Sequence, residues 1–159
     1  DLPLVYNSGG YDTVETLRLL EDIFDIYMPD FKFWDEGPAR TFCSAPDYRA
    51  VACEAIREMH RQVGDLEMDG RGVARRGLLV RHLVMPGGLA GTAGVMDFLA
   101  RDISRSTYVN VMDQYHPCYR AGDDLRIDRR ITAAEYEEAL EAARRAGITR
   151  LDSRIRSSP

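Results

Sequence analysis

Four short stretches carry the residues able to do chemistry, and each follows an apolar or β-branched run. The first is Asn7-Ser8-Gly9-Gly10, a polar pair followed by backbone that can approach a ligand closely. The second is Met28-Pro29-Asp30-Phe31-Lys32. Side chains alternate along a strand, so Asp30 and Lys32 point the same way and place an acid and a base before one site. A carboxylate beside an ammonium suits a zwitterion, the acid taking an amino group and the base a carboxylate; the plainer reading is an ion pair that closes a strand end. In the third stretch Arg81 and His82 are adjacent and must face opposite sides, so one of them looks inward. A single inward His reads first as a hydrogen-bonded core residue. Met85-Pro86-Gly87-Gly88 follows and leads through Gly91 to a helix at Thr92, whose first N–H groups could hold an anion. The GxGxxG spacing and a Walker-type Lys are both absent there. The fourth stretch is Asp113-Gln114-Tyr115-His116-Pro117-Cys118, where Tyr and His could stack on and hydrogen-bond a heteroaromatic ring. Asp113, His116 and Cys118 could instead ligate a metal, although their spacing matches no zinc pattern.

These stretches need a frame. At 159 residues, 45% hydrophobic and 30% charged, the chain suits one globular domain. A net charge of −5 argues against a general grip on nucleic acid. Of the 21 cationic side chains Lys32 is the only Lys, a compact ammonium among planar guanidinium groups. Three cysteines, Cys43, Cys53 and Cys118, form no C-x-x-C pair and no disulfide framework, which points to a reducing compartment. No apolar run is long enough to span a membrane and no signal peptide is visible, so a soluble, cytoplasmic protein is expected. The chain has no initiating Met and runs from Asp1 straight into what reads as a buried strand, so an N-terminal portion is expected to be missing.

Strand-like runs at 4–7, 25–31, 78–85 and 108–113 alternate with helical patterns, a repeated βα rhythm. Helices are expected over 13–24, over 47–63 with Ala52, Ala55, Ile56, Met59 and Val63 as one stripe, and from about Thr92. A fourth should start at a Thr132/Glu135 capping box and stop at Gly147. Residues 65–77 read as a peripheral hairpin turning at Asp69-Gly70, and 153–159 as a flexible tail after a domain over 1–152. Nearly continuous apolar strands fit a parallel sheet covered by helices, in a doubly wound fold or a barrel. Four βα units against the eight of a barrel of about 250 residues make the barrel reading roughly half of one.

Taken in order, Tyr6-Asn7-Ser8-Gly9, Met28-Pro29-Asp30-Phe31-Lys32, the run from Val80 to Gly87 (Val-Arg-His-Leu-Val-Met-Pro-Gly) and Gln114-Tyr115-His116 resemble the C-terminal half of radical S-adenosylmethionine enzymes. The closest resemblance is to the group similar to pyruvate formate-lyase activating enzyme. It implies an α/β fold, the C-terminal half of a partial TIM barrel, with S-adenosylmethionine as cofactor. It also implies a [4Fe–4S] cluster in the complete protein and hydrogen abstraction by a 5′-deoxyadenosyl radical. By this resemblance Asn7 and Ser8 lie near the ribose or methionine portion, and Asp30 and Lys32 match an Asp-x-Lys that holds the methionine end. Val84, Met85 and Pro86 would lie against the adenosine, and His116 would approach the adenine. The implied partners are a glycyl radical enzyme or another protein substrate and a reductant such as flavodoxin or ferredoxin.

The chain departs from that pattern in one large respect. The family's C-x-x-x-C-x-x-C loop and Gly-Gly-Glu site have no counterpart here, and Cys43 and Cys53 stand ten residues apart. No catalytic residue and no metal ligand is therefore expected in this chain, which alone should bind no cluster. Two other readings compete. One is a metal-dependent TIM-barrel hydrolase using His82, Asp113 and His116; the other is a non-catalytic half-barrel that binds a partner.

Overall fold

The computed structural model describes residues 2–152. The strands expected from sequence form as β1 (Val5–Ser8), β2 (Ile26–Pro29), β4 (Ala74–Leu83) and β5 (Tyr108–Met112), with two short additions, β3 (Glu67–Met68) and β6 (Arg150–Leu151). The helices are α1 (Val14–Leu19), α2 (Glu36–Cys43), α3 (Tyr48–Val63), α4 (Thr92–Phe98) and α5 (Ala133–Ala146). The expected tail at 153–159 lies outside the described residues. Among the described residues no helix is long and apolar enough to cross a membrane.

Strand order is β1-β2-β4-β5-β6, every pair in that path is parallel, and β3 joins β4 antiparallel. The order never reverses, so the sheet has no topological switch point of the doubly wound kind. Right-handed crossovers then put successive helices on one face. The burial pattern agrees. Leu78, Val80, His82 and Val84 are buried on the helix side, whereas Leu79, Arg81 and Leu83 are partly open on the other. Tyr27 and Phe31 of the second strand and its extension, with Val109 and Val111 of β5, join the same core as Leu17, Ile56, Met59 and Val95 from the helices. The sheet thus has one covered face and one open face.

Several boundaries differ from the sequence expectation. α1 stops at Leu19, not near residue 24, because Asp22 takes a left-handed φ of 62° and turns the chain into β2. Phe24 still packs, but as a loop residue against Tyr6 and Tyr27. α2 is an addition. Gly37 and Pro38 in its first turn mask it in sequence, although Pro is tolerated there because early helical N–H groups lack intrahelical partners. The hairpin at 65–77 is not peripheral: Leu66 is only 2% exposed, and Leu66 and Met68 close the lower end of the open face beside Met28, Leu79 and Met112. The capping box on α5 forms as expected, with Glu135 also accepting the Gly87 N–H at 2.7 Å.

Trp34 is wedged against α4. A Cβ at Gly94 would overlap the Trp34 indole, and one at Gly91 would meet Trp34 Cβ at 2.6 Å. In an open helix position Gly→Ala adds about 1 kcal/mol of stability. At Gly94 the sign reverses: Gly94→Ala is expected to lower unfolding free energy by about 1–3 kcal/mol, measured by urea denaturation, because the indole must leave its place.

Candidate functional site

The open face ends, at the carboxyl edge of the parallel strands, in a cleft of 610 Å³ lined by Asp30, Lys32, Arg81, Met85, Gln114 and His116 among others. That size and position are usual for small-molecule sites on parallel sheets. Strand alternation explains the set. Asp30 and Lys32 extend β2, Arg81 and Met85 belong to the open-face register of β4, and Gln114 continues that of β5.

The floor is a charge network. Asp30 pairs in register with Arg81 across the β2/β4 junction, and its Oδ1 accepts from Arg81 Nε at 2.8 Å and Nη2 at 2.7 Å. Its Oδ2 accepts from Lys32 Nζ at 2.8 Å. Arg81 Nη2 also donates to Asn7 Oδ1 at 2.8 Å, which ties the end of β1 into the site. One carboxylate between two cations leaves one net positive charge at the cleft floor. Asp30 is 19% exposed and Lys32 41%, so the ammonium can still reach a ligand. A carboxylate offers about four acceptor sites, so Asp30 retains capacity for a further donor.

Tyr48 of α3 holds this geometry from behind. Its hydroxyl accepts the Lys32 N–H at 2.9 Å and lies within donating distance of the carbonyls of Gly9 (2.8 Å) and Asp30 (2.9 Å). Burial pushes that hydroxyl's pKa well up, so it stays protonated as a strut. Gly10 meets the Asp30 carbonyl so closely that a side chain there would collide with it, which is where the sequence Gly-Gly is needed.

The expected site residues do not all converge. Asn7, Asp30, Lys32, Met85 and His116 meet at the cleft or the network on its floor. Ser8 and Val84 do not present their side chains there. Ser8 Oγ accepts the Gly10 N–H at 3.1 Å within its own turn, and Val84 is 3% exposed in the core, because each sits one residue out of phase with the open face. Pro86 is buried at the start of the turn leading to α4. Tyr115 lines the cleft, but its hydroxyl donates to the Ile127 carbonyl at 2.8 Å, pinning the following loop.

Arg81 is the residue whose role sequence reasoning left open. The clue was its parity with Leu83 and Met85, since His82 shares the phase of Leu78 and Val80 and is the member bound for the core. His82 is 0% exposed, its Nδ1 donates to the Phe31 carbonyl at 2.7 Å, and its Nε2 accepts from Thr92 Oγ1 at 2.9 Å. Burial holds its pKa down to about 4, which keeps the ring neutral in that tautomer. The His82/Asp113/His116 metal constellation therefore does not assemble: His82 is behind the sheet, Asp113 lines a separate small cavity beside Thr132 and Tyr136, and His116 is in the cleft. Among the described residues no group of three or more His, Cys, Asp or Glu is placed to hold a metal ion. Cys53 is buried on α3, away from the exposed Cys43 and Cys118.

No family model and no solved structure matches the chain. It is similar to the uncharacterized protein MJ0674 of Methanocaldococcus jannaschii, with 34% identity over 149 residues, which make up 93% of this chain and 40% of that protein. The chain thus spans well under half the length of that curated relative.

Proposed function

We propose that this chain is the C-terminal half of a partial TIM barrel from a radical S-adenosylmethionine protein and supplies much of the pocket for S-adenosylmethionine. The observation that carries the reading is the Asp30/Lys32/Arg81 network at the carboxyl edge of a parallel sheet that winds in one direction only. One net positive charge beside a carboxylate with spare acceptor capacity matches the ends of an amino acid. Lys32 takes the carboxylate and Asp30 the ammonium. Met85 packs along the adenosine, and His116, at the cleft wall, approaches the adenine. Asn7 steadies Arg81 and so keeps Asp30 in place.

S-adenosylmethionine, when bound with a [4Fe–4S] cluster, supplies a 5′-deoxyadenosyl radical for hydrogen abstraction. The cysteines of this chain do not fit that cluster, since Cys53 is in the core while Cys43 and Cys118 face a surface cavity. Cluster binding is thus assigned to other parts of the complete protein, along with a reductant of flavodoxin or ferredoxin type and a protein substrate such as a glycyl radical enzyme. Calorimetric titration with S-adenosylhomocysteine tests the pocket without needing the cluster. Lys32→Ala is expected to weaken binding about tenfold, the loss of about 1.4 kcal/mol that one charge-assisted hydrogen bond contributes. Unchanged affinity would overturn the reading.

A further inference from the structure

Beyond Pro29 the ladder between β1 and β2 comes apart, and a side chain takes over the pairing. The Asp30 N–H still donates to the Ser8 carbonyl at 3.0 Å, but Gly10, at a φ of 72°, turns the chain away and gives its N–H to Ser8 Oγ. Backbone groups alternate in direction along a strand, so those of residues 30 and 32 face β1. Those of residue 31 face β4, where the Phe31 N–H donates to the Arg81 carbonyl at 2.8 Å. The Asp30 carbonyl and the Lys32 N–H have thus lost their strand partner, and both meet the Tyr48 hydroxyl, which also reaches the Gly9 carbonyl. We propose that Tyr48 is a positioning residue: its hydroxyl replaces a strand rung, fixes the Asp30 carboxylate relative to the Lys32 ammonium, and so makes the cleft prefer a nucleoside that carries an amino acid over one that does not. The ligand preference rests on the cleft reading above; the positioning of the two charges does not.

The Tyr48 ring and its hydroxyl do separate things. The buried ring stacks on Tyr11 at 5.9 Å and meets Phe31 edge-on at 6.1 Å, contacts that a phenylalanine would keep. Only the oxygen touches the backbone on both sides of Phe31. Because it bonds the Asp30 carbonyl and the Lys32 N–H, one atom sets the direction in which both charged side chains leave the chain. Space for it is built in: a Cβ at Gly10 would come within 3.4 Å of the hydroxyl as well as overlapping the Asp30 carbonyl. His82 holds the opposite side, its Nδ1 donating to the Phe31 carbonyl at 2.7 Å. Every backbone N–H and C=O from the Asp30 N–H to the Lys32 N–H therefore has a partner. Backbone groups left unpaired away from water cost free energy, so a segment that loses the hydroxyl shifts to find other partners and carries its two charges with it.

Tyr48→Phe removes the oxygen and keeps the ring. Tyr27→Phe is the control, since that buried hydroxyl donates to Gln62 at 2.7 Å and its loss takes no bond from residues 30–32. Lys32 is the only lysine, so the 159-residue chain made with lysine isotope-labelled at Cε gives one side-chain signal by nuclear magnetic resonance and needs no assignment. The two ε-proton shifts are expected to stand apart in wild type and Tyr27→Phe, and to merge in Tyr48→Phe as the ammonium loses its fixed place beside Asp30. Calorimetry then compares S-adenosylhomocysteine with 5′-methylthioadenosine, the same thioether nucleoside without the amino acid. Tyr48→Phe is expected to weaken the first about fivefold, the effect of about one neutral hydrogen bond, and to leave the second unchanged. Tyr27→Phe should move neither. A Lys32 signal unaffected by Tyr48→Phe, or an equal loss for both ligands, would overturn the proposal. Should the signal merge while wild type binds S-adenosylhomocysteine no more tightly than the bare nucleoside, the cleft reading fails and the ligand preference with it, whereas the positioning of the charge pair stands.

Discussion

Asp30→Ala is expected to cost more binding than any other single change in the cleft, about 30- to 150-fold in affinity for S-adenosylhomocysteine, or roughly 2–3 kcal/mol. The reason is that Asp30 does three things at once. It offers the acceptor for an incoming ammonium, it positions the Lys32 ammonium at 2.8 Å, and it holds Arg81 through two contacts on one oxygen. Without it two cations face each other with no carboxylate between them, and the more exposed Lys32 is free to turn out to solvent. Asp30→Asn separates shape from charge: it keeps an acceptor toward Arg81 but presents the wrong partner to Lys32, and should fall between wild type and Asp30→Ala. Calorimetry reads both. Equal affinity for wild type and Asp30→Ala would remove the network from any account of ligand binding.

Stability should fall as the pH drops from about 6.5 toward 4, and His82 should be the main cause in the upper part of that range. Its pKa is held down to about 4 in the fold, against about 6.5 in an unfolded chain. Between those values the unfolded state binds the extra proton and the folded state does not, so unfolding becomes easier as acid is added. The full window corresponds to about 3 kcal/mol, of which roughly 2 are lost by pH 5. The carboxylates held low, Glu58, Asp69 and Asp124, each to about 2, and Glu135 beside Arg129, lose their contributions mainly below about pH 5. Urea midpoints at pH 7 and pH 5 therefore isolate the imidazole, and His82→Gln should lack that component. A wild-type midpoint that stays level over this interval would mean that the ring is not buried neutral between Phe31 and Thr92.

The helices and strands that sequence periodicity located are those with a local cause. The α3 stripe, the α5 capping box and the apolar phases of β4 and β5 each depend on residues within a few positions of one another. The differences arise from local backbone features that periodicity does not report and, at 65–77, from contacts made over longer distances. Asp22 ends α1 through its backbone turn into β2, α2 hides behind Gly37 and Pro38, and the 65–77 hairpin becomes a floor only because Leu66 and Met68 meet side chains of three other strands.

The pairing of Asp30 with Lys32 was readable from period-two alternation alone, because both side chains leave the same short segment in the same direction. Alternation also required Arg81 and His82 to part company, but it carries no label for inside and outside. That label came from packing: His82 lands between the Phe31 carbonyl and the Thr92 hydroxyl, and Arg81 lands across from Asp30, 51 residues away, with Asn7 a further strand over. Local spacing sets which side chains travel together along one strand. Which strands become neighbours, and hence that a lone acid ends up shared by two cations and braced by Tyr48 from α3, depends on sheet register and helix docking between distant segments.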